Sequence, residues 1–205
     1  MPTFDFENSF PGIVAGIDEA GRGPLCGPVY VACVVLDRNN YPAGLDDSKK
    51  IPENMREKIF DNIMEFAEKG TLFYGVGFVD SVEIDRINIL NATKIAMKQA
   101  YENLLERFGI IVDNVIVDGN FVPDINANAV AIVKGDSKSY SIACASIVAK
   151  VLRDRELRAM DAKYPQYSWI KNKGYGTREH IEAIEKYGLV EGYHRKSFCG
   201  NFIGS

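Results

Sequence analysis

The sequence predicts a mixed α/β fold, in which a β-sheet carries helices on its faces. Short apolar runs rich in β-branched residues alternate with segments whose apolar residues recur at helical spacing. No internal repeat, low-complexity tract or long linker divides the chain. Its 205 residues are enough to bury a substantial core. We therefore expect residues 1–164 and a smaller helical region over 165–205 to pack together as one structural unit.

Five apolar runs bounded by turn residues are the predicted strands. They cover 12–21, 28–36, 72–79, 114–119 and 129–135. The glycine-rich segment GRGPLCG joins the first two, so we expect them to pair as antiparallel neighbours. In the third run, Gly75 and Gly77 alternate with larger side chains. The last two runs are short and apolar, which predicts buried strands suited to parallel pairing around a crossover.

Three segments have the periodicity and the boundary residues of helices. The first lies between Pro52 and Gly70, which are typical of a helix start and a helix end. The second covers 88–108 and stops at Gly109. The third, 141–157, is apolar almost all round, which predicts a helix packed deeply against the sheet.

The composition is that of a globular protein rather than a membrane or disordered one. Hydrophobic residues make up 46% and charged residues 25%, and no apolar run reaches the length needed to span a bilayer. The N-terminal segment MPTFDFENSFPG is acidic and lacks the apolar stretch of a secretory signal. These features predict a cytoplasmic protein without membrane contact. The absence of a coiled-coil repeat or a symmetric apolar stripe favours a monomer.

The net charge of −4 means that long-range electrostatics would repel a nucleic acid. A nucleic-acid function therefore requires a local basic surface. The segment PQYSWIKNKGYGTR is a candidate, because its basic residues are interleaved with aromatic ones and it contains no acid. These residues are Lys171, Lys173, Arg178, Tyr167, Trp169 and Tyr175. The alternative is a solvated loop whose aromatic rings cover the core.

The cysteines and histidines lack the spacing of a metal or redox site. No CxxC pair occurs, so we expect four small buried reduced thiols, at Cys26, Cys33, Cys144 and Cys199. The two histidines, His180 and His194, are expected at the surface or at an interface. A phosphate contact from His194 and Arg195 is the alternative for that segment.

Carboxylates follow three of the predicted strands. Asp18 and Glu19 lie at the end of the first, Asp118 ends the fourth, and Asp136 follows the fifth. Anions about 4 Å apart repel by roughly 4 kcal/mol per pair at an effective dielectric of 20, and a divalent cation would remove that penalty. Oxygen ligands favour Mg²⁺ or Mn²⁺, and paired ions of this kind support phosphodiester hydrolysis. The alternative is that each aspartate only forms a turn.

Residues 18 and 19 are adjacent, which constrains a shared site. Neighbouring side chains of a strand point to opposite faces of the sheet. Both carboxylates can serve one site only if the strand bends or ends there, and the glycines at 21 and 23 favour such a bend.

The string GIDEAGRGPLCGPV resembles the opening signature of bacterial ribonuclease HII. Six further strings resemble blocks of that family in the same order: LDDSKK, NILNATKIAMKQA, VIVDGN, KGDSKSYSIACASIVAKVLRD, NKGYGT and YHRKSF. The resemblance covers essentially the whole chain, and Arg22, where type 3 relatives carry a lysine, favours type 2. It implies a ribonuclease H-like catalytic domain over 1–164, with 165–205 as a C-terminal helical appendage.

The resemblance also implies an activity. This is endonucleolytic hydrolysis of RNA in RNA/DNA hybrids and 5′ to ribonucleotides embedded in duplex DNA, as needed in DNA replication and repair. Two Mg²⁺ or Mn²⁺ ions would take part in the reaction. The products would carry 3′-hydroxyl and 5′-phosphate ends.

The resemblance further implies a role for individual residues. The catalytic and metal-binding quartet would be Asp18, Glu19, Asp118 and Asp136. Ribonucleotide recognition would fall to Gly21, Arg22, Gly23 and Tyr175, and phosphate contact to Ser48 and Lys49. Lys150 and Asp154, on one helical stripe with Ser146, would support the site from behind, with Asp154 as an alternative ligand. A solvated face or a local ion pair is the other interpretation of that stripe.

Three other functions are compatible with parts of the sequence. A junction resolvase on the same fold would share the acidic cluster but not the ribose-sensing loop. A nucleic-acid-binding module that has lost catalysis would keep the fold and the basic surface. A structural protein would use its acids only to form turns and would bind no divalent ion.

Overall fold

The computed structural model describes residues 1–200, and its framework is a five-stranded mixed sheet in the order β3-β2-β1-β4-β5. The strands are β1 (Val14–Ala20), β2 (Val29–Leu36), β3 (Leu72–Val79), β4 (Asn114–Asp118) and β5 (Asn128–Ile132). β2 pairs antiparallel with β1 and β3, whereas β4 pairs parallel with β1 and β5. All five predicted runs are therefore strands, and the predicted mixed α/β fold is confirmed.

Eight helices surround or extend the sheet in the described residues. They are α1 (Asp5–Asn8), α2 (Glu53–Glu68), α3 (Ser81–Ile87), α4 (Ile89–Phe108), α5 (Tyr140–Asp161), α6 (Trp169–Asn172), α7 (Arg178–Tyr187) and α8 (Lys196–Cys199). The three predicted helices are α2, α4 and α5. Pro52 immediately precedes α2, and Gly109 ends α4 in the left-handed conformation, as the boundary residues indicated.

Helices cover both faces of the sheet. α4 packs on β3 and β2, and a Cβ atom at Gly75 or Gly77 would overlap the backbone carbonyl of Ala100 or Ala96. On the other face, α5 and α2 enclose a second apolar cluster. A Cβ at Gly16 of β1 would overlap the backbone of α5. The small residues therefore allow both helices to approach the strands closely, and α5 is held directly against β1.

The prediction that β5 is a buried strand is wrong. Its residues alternate between exposed and half-buried until Ile132, and Val130 is 37% exposed. β5 is the last strand of the sheet, so it is paired on one edge only. β4, between β1 and β5, has the predicted buried character.

The C-terminal region packs on the loop that follows β1. Trp169 and Tyr167 form a third apolar cluster with Leu25, Cys26 and Leu157. The region from 165 to 200 thus shares a core with the preceding part of the chain, whereas residues 201–205 of the predicted appendage lie outside the described residues. The boundary at residue 164 stays a prediction.

The four cysteines are buried and unpaired, as predicted. Their positions differ, because Cys33 lies on β2, Cys144 lies on α5, and Cys26 and Cys199 belong to the C-terminal cluster. Among residues 1–200, no helix combines the length and the apolar character needed to cross a bilayer.

Glu7 fastens the N-terminal segment to the start of α5. Its carboxylate is buried and accepts hydrogen bonds from the Ser139 hydroxyl at 2.7 Å and the Ser141 N–H at 2.9 Å. We expect Glu7→Ala to lower the free energy of unfolding by about 2 kcal/mol, because two buried donors lose their acceptor. Urea denaturation measures this value. The matched variant Glu106→Ala, at an exposed position, should change stability little, and equal stability of both variants would contradict the role of Glu7.

Candidate metal centre and nucleic-acid groove

Three aspartates from separate elements converge at one edge of the sheet. Asp18 lies near the end of β1, Asp118 ends β4, and Asp136 lies in the 3₁₀ turn Gly135–Ser137 after β5. One carboxylate oxygen of each aspartate lies within 4.8 Å of a carboxylate oxygen of the other two. The convergence follows from the parallel register, which pairs Ile17 with Val117 and so brings the next residues, Asp18 and Asp118, side by side.

A hydrogen bond joins Asp118 to the turn that carries Asp136. The Gly135 N–H donates to Asp118 Oδ1 at 2.6 Å, which holds the turn that carries Asp136 against the end of β4. Asp18 is 3% exposed and Asp136 is 5% exposed, so two of the three carboxylates are nearly withdrawn from water.

Glu19 lies beside the cluster but is not part of the group that converges. β1 ends at Ala20, one residue after Glu19, and the charge of Glu19 acts on Asp18 and that of Asp118 on Glu19, so these carboxylates lie near one another. Glu19 Oε1 accepts a hydrogen bond from Arg22 at 3.3 Å, whereas Oε2 is buried without a partner. A buried unpartnered carboxylate oxygen is free to bind a cation.

The electrostatics of the cluster fit a divalent ion. Burial raises the pKa of Asp18 well above its ordinary value, and the charges of Glu19 and Asp118 raise it further. Burial and the charge of Asp118 also raise the pKa of Asp136. Without a cation, these carboxylates therefore tend to retain protons. The oxygen-only donor set and the free Glu19 oxygen suit Mg²⁺ or Mn²⁺.

Lys49 and Ser48, predicted to contact phosphate, occupy different environments. Lys49 Nζ lies 3.7 Å from Asp136 Oδ2 and its side chain is 77% exposed. Burial lowers the pKa of Lys49, but Asp18 and Asp136 outweigh that effect and raise it. The buried Ser48 hydroxyl is hydrogen-bonded to the Ser146 hydroxyl at 2.7 Å. Lys49 is therefore the freer of the two groups for a phosphate.

A groove of about 570 Å³ adjoins the cluster. Its lining brings together residues that are far apart in sequence: Glu19, Gly21, Arg22, Gly23, Ser48, Lys49, Lys150, Lys171, Lys173 and Tyr175. Five of these side chains are basic. Each also forms an ion pair with a carboxylate: Arg22 with Glu19, Lys49 with Asp136, Lys150 with Asp154, Lys171 with Glu179 and Lys173 with Glu53. Of the segment predicted to bind nucleic acid, Lys171, Lys173 and Tyr175 line the groove, whereas Tyr167 and Trp169 are buried in the core, as the alternative interpretation expected.

Tyr175 lies against the GRG loop, residues 21–23. A Cβ atom added to Gly23 would be 3.3 Å from Tyr175 Cε1, and the tyrosine is 51% exposed. The two elements predicted to recognise a ribonucleotide are thus neighbours in the groove, although they are separated by about 150 residues in sequence.

The polar stripe on α5 contains an ion pair. Lys150 Nζ lies 2.6 Å from Asp154 Oδ1, and Arg56 lies 3.4 Å from Asp154 Oδ2. Asp154 is buried and belongs to no carboxylate cluster in the described residues. These contacts favour the ion-pair interpretation over direct metal binding by Asp154. Burial lowers the pKa of Lys150, and the Asp154 charge opposes that shift.

The two histidines, predicted at the surface or at an interface, are buried, so a surface location is wrong. His180 is 0% exposed and His194 is 2% exposed, and their Nε2 atoms are 3.2 Å apart. The Trp169 indole donates to His180 Nε2 at 3.0 Å, and the Val190 N–H donates to His194 Nδ1 at 2.8 Å. Burial lowers the pKa of His194 to about 4, so this pair is neutral at physiological pH.

Cys26 lies beside these two imidazoles, within the distance range of a metal site. The remaining imidazole nitrogen, His180 Nδ1, lies 2.9 Å from the carbonyl oxygen of Tyr175. All imidazole nitrogens thus have hydrogen-bond partners, and burial raises the pKa of the Cys26 thiol to about 12. This cluster is a hydrogen-bonded core beneath Tyr175, in which no imidazole nitrogen is left without a protein partner.

Arg195 does not contact phosphate, because it is 0% exposed. Arg153, which pattern analysis did not single out, is also buried and lines the groove. Its guanidinium donates to the carbonyl oxygens of Pro28, Lys173 and Cys26. The sequence did contain a signal for this role, because Arg153 is an arginine inside the apolar stretch of the predicted third helix.

Solved structures define the class of fold. Ribonuclease H2 of Pyrococcus horikoshii is 28% identical, with a TM-score of 0.71 over 93% of this chain and 97% of that one. RNase HII of Archaeoglobus fulgidus, solved in a complex with PCNA, is 24% identical and has a TM-score of 0.72 over 94% and 97%. Bst-RNase HIII in complex with Mn²⁺ is 19% identical, with a TM-score of 0.75 over 91% and 67%. The last two likenesses concern the fold alone.

Sequence relatives define the family. The ribonuclease HII family matches residues 15–201. Ribonuclease HII of Acetivibrio thermocellus is 55% identical over 191 residues, which is 93% of this chain and 71% of the relative. Ribonuclease HII of Caldicellulosiruptor bescii is 53% identical over 190 residues, or 93% and 88%. The chain therefore belongs to the ribonuclease HII family. It is a metal-dependent endoribonuclease that hydrolyses RNA in RNA/DNA hybrids.

Proposed function

We propose that the enzyme cuts the phosphodiester bond 5′ to a ribonucleotide, both in hybrids and where a single ribonucleotide is embedded in duplex DNA. The products would carry 3′-hydroxyl and 5′-phosphate ends. The observation that carries this proposal is the junction between the carboxylate cluster and the groove. Glu19 and Lys49 line the groove and also adjoin the cluster, so a phosphate in the groove would lie beside the carboxylates.

The carboxylates have distinct proposed roles. Asp18 and Asp118 would hold the central metal ion, because they follow directly on the paired residues Ile17 and Val117. Glu19 offers its free oxygen on the side of the attacking water, and Asp136, on a short turn, is the more adjustable ligand. Two Mg²⁺ or Mn²⁺ ions bound by this set would activate the water and stabilise the leaving oxygen.

The groove supplies positioning and selectivity. Lys49 neutralises the phosphate next to the cluster, while Lys171 and Lys173 neutralise the neighbouring backbone. Tyr175 stacks on the ribonucleotide sugar or base. The GRG loop contacts the 2′-hydroxyl, which is the group that separates RNA from DNA at the scissile position.

We also propose that the enzyme acts in the cytoplasm as a monomer. The groove and the carboxylate cluster are built from the residues of one chain, so catalysis needs no second copy. RNA paired with DNA arises where DNA is copied, which supports a cytoplasmic location in a bacterial cell.

The test compares three duplexes: a hybrid, a DNA duplex with one ribonucleotide, and a branched all-DNA junction. We expect the wild type to cut the first two and to leave 3′-hydroxyl ends. Tyr175→Ala should lower kcat/KM on the single-ribonucleotide duplex by about 5- to 100-fold, because the loss of one stacking contact costs a free energy that corresponds to such a factor. End-labelled cleavage assays measure both quantities.

Tyr187→Ala is the matched control, because Tyr187 is also 51% exposed but does not line the groove. It should retain wild-type activity. Equal activity of Tyr175→Ala and the wild type would remove the tyrosine from the recognition site. Faster cutting of the branched DNA than of the single-ribonucleotide duplex would contradict the proposed substrate.

A further inference from the structure

The Arg195 guanidinium is buried beneath the loop that joins β1 to β2. It donates to Gly21 O at 2.6 Å, Arg22 O at 3.0 Å, Pro24 O at 2.9 Å, and Gly27 O at 3.0 and 2.7 Å. No carboxylate forms an ion pair with it among residues 1–200. All its hydrogen-bonding capacity is thus directed at the carbonyl oxygens of one loop.

The backbone of the same segment reinforces the contact. The Arg195 N–H donates to Leu25 O at 2.8 Å, and the Gly27 N–H donates to Tyr193 O at 2.9 Å. Burial lowers the pKa of Arg195 to about 10, so it remains cationic at neutral pH. The guanidinium also lies 5.1 Å from the centre of the Phe198 ring, and the Asp85 charge favours its cationic form, but all its hydrogen bonds are to the loop. Burying a cation is costly, and these five hydrogen bonds compensate that cost only while the loop keeps this geometry.

The contact between Arg195 and the loop also fixes the direction of the loop N–H groups that lie in the groove. In a trans peptide the C=O of one residue and the N–H of the next point in opposite directions. Arg195 holds the carbonyl groups of Gly21 and Arg22. The N–H groups of the residues that follow them, Arg22 and Gly23, therefore point away from Arg195. In the described part of the chain, those two N–H groups have no protein acceptor, and both residues are exposed and line the groove.

The loop has little freedom to adopt another arrangement. Gly21 has a φ of 101°, and a Cβ atom there would overlap Arg153. Tyr175 lies against Gly23 on the groove side. The loop is therefore enclosed by two buried arginines and the tyrosine, and its free N–H groups face the remaining open side.

We propose that Arg195 is a positioning residue for ribonucleotide selectivity: it holds the loop carbonyls so that the Arg22 and Gly23 N–H groups are directed at the 2′-hydroxyl. This inference rests on the proposed function of the GRG loop. Arg195 itself does not touch the substrate. Arg195 fixes the two N–H donors before the substrate binds, so that binding does not have to include the entropy cost of ordering the loop.

Arg195→Lys tests the proposal, because lysine keeps the charge but replaces the five donors of a planar guanidinium with three on a single nitrogen. The readout is the ratio of dissociation constants for an all-DNA duplex and for the same duplex with one ribonucleotide, with Ca²⁺ in place of the catalytic ion. We expect the wild type to prefer the ribonucleotide, and the variant to lose about tenfold of that preference. Mn²⁺ binding, measured by calorimetry without nucleic acid, should be unchanged.

Arg38→Lys is the matched control. Arg38 contacts the Glu7 carbonyl and the Asn8 side chain, and neither residue lines the groove. It should keep the wild-type ratio. If Arg195→Lys also keeps the wild-type ratio, the positioning role is wrong. If the wild type itself shows no preference for the ribonucleotide, the proposed function of the GRG loop fails first.

A second measurement covers the case in which Arg195→Lys does not fold. In wild-type protein labelled with ¹⁵N, the Arg22 and Gly23 amide resonances are followed during titration with both duplexes. Shifts of these two amides with the ribonucleotide duplex, and not with the all-DNA duplex, would support the proposal. Equal shifts with both duplexes, or none, would overturn it.

Discussion

Asp118→Asn will reduce kcat on the single-ribonucleotide duplex by roughly 10³-fold, because it removes one charge from the proposed metal centre. The substitution preserves size, and the asparagine Oδ1 can still accept the hydrogen bond that the Gly135 N–H donates to Asp118. The turn that carries Asp136 should therefore stay in place. The decrease in kcat would therefore result from the missing charge and not from a displaced backbone.

Asp124→Asn is the control for this prediction. Asp124 is exposed on the loop after β4 and belongs to no carboxylate cluster in residues 1–200. It should leave kcat unchanged, and circular dichroism should show both variants folded. If Asp118→Asn retained activity within about tenfold of the wild type, the assignment of Asp118 as a metal ligand would be abandoned.

Periodicity and turn residues predicted most of the framework. β3 matches the predicted run 72–79, and α4 ends at Gly109, because these signals depend on local backbone preferences. The exposure of β5 was not predictable from its composition, since a run of apolar residues does not reveal which strand is last in the sheet. The short helix α1 depends on Glu7 reaching α5 across more than 130 residues, a contact with no local signal.

The site, like the fold, was only partly predictable, because it depends on contacts between distant parts of the chain. Strand-end aspartates are visible in the sequence, but their convergence requires β1, β4 and β5 to lie side by side in parallel, which is a property of the sheet. His180 and His194 were expected at the surface or at an interface because their spacing fits no metal site, and a phosphate contact by His194 and Arg195 was the alternative. Hydrogen bonds to backbone groups and to each other compensate their burial, and such partners cannot be identified from the sequence alone.

The metal centre should also control the stability of the protein. The pKa of Asp18 is raised by burial and by the neighbouring carboxylates, so the folded metal-free protein binds protons more tightly than the unfolded chain. Stability from this source is present at low pH and is lost as the pH rises through the folded pKa. At neutral pH, well above the ordinary pKa of an aspartate, the metal-free protein therefore lacks part or all of this stability, and a bound divalent ion would compensate the loss.

Asp18→Asn should stabilise the metal-free protein at neutral pH, because it removes one of the repelling charges, and should abolish stabilisation by metal. For the wild type, Mn²⁺ at 100 times its dissociation constant contributes about 2.7 kcal/mol, or roughly 5–10 °C in Tm for a chain of this size. Asp124→Asn should behave as the wild type does.

The melting temperature with and without Mn²⁺, for the wild type and Asp18→Asn, tests most directly whether distant carboxylates form one cation site. A rise in Tm for the wild type and Asp124→Asn alone, together with a higher metal-free Tm for Asp18→Asn, is the predicted result. A wild-type Tm that does not respond to Mn²⁺, or an equal rise in Asp18→Asn, would contradict it.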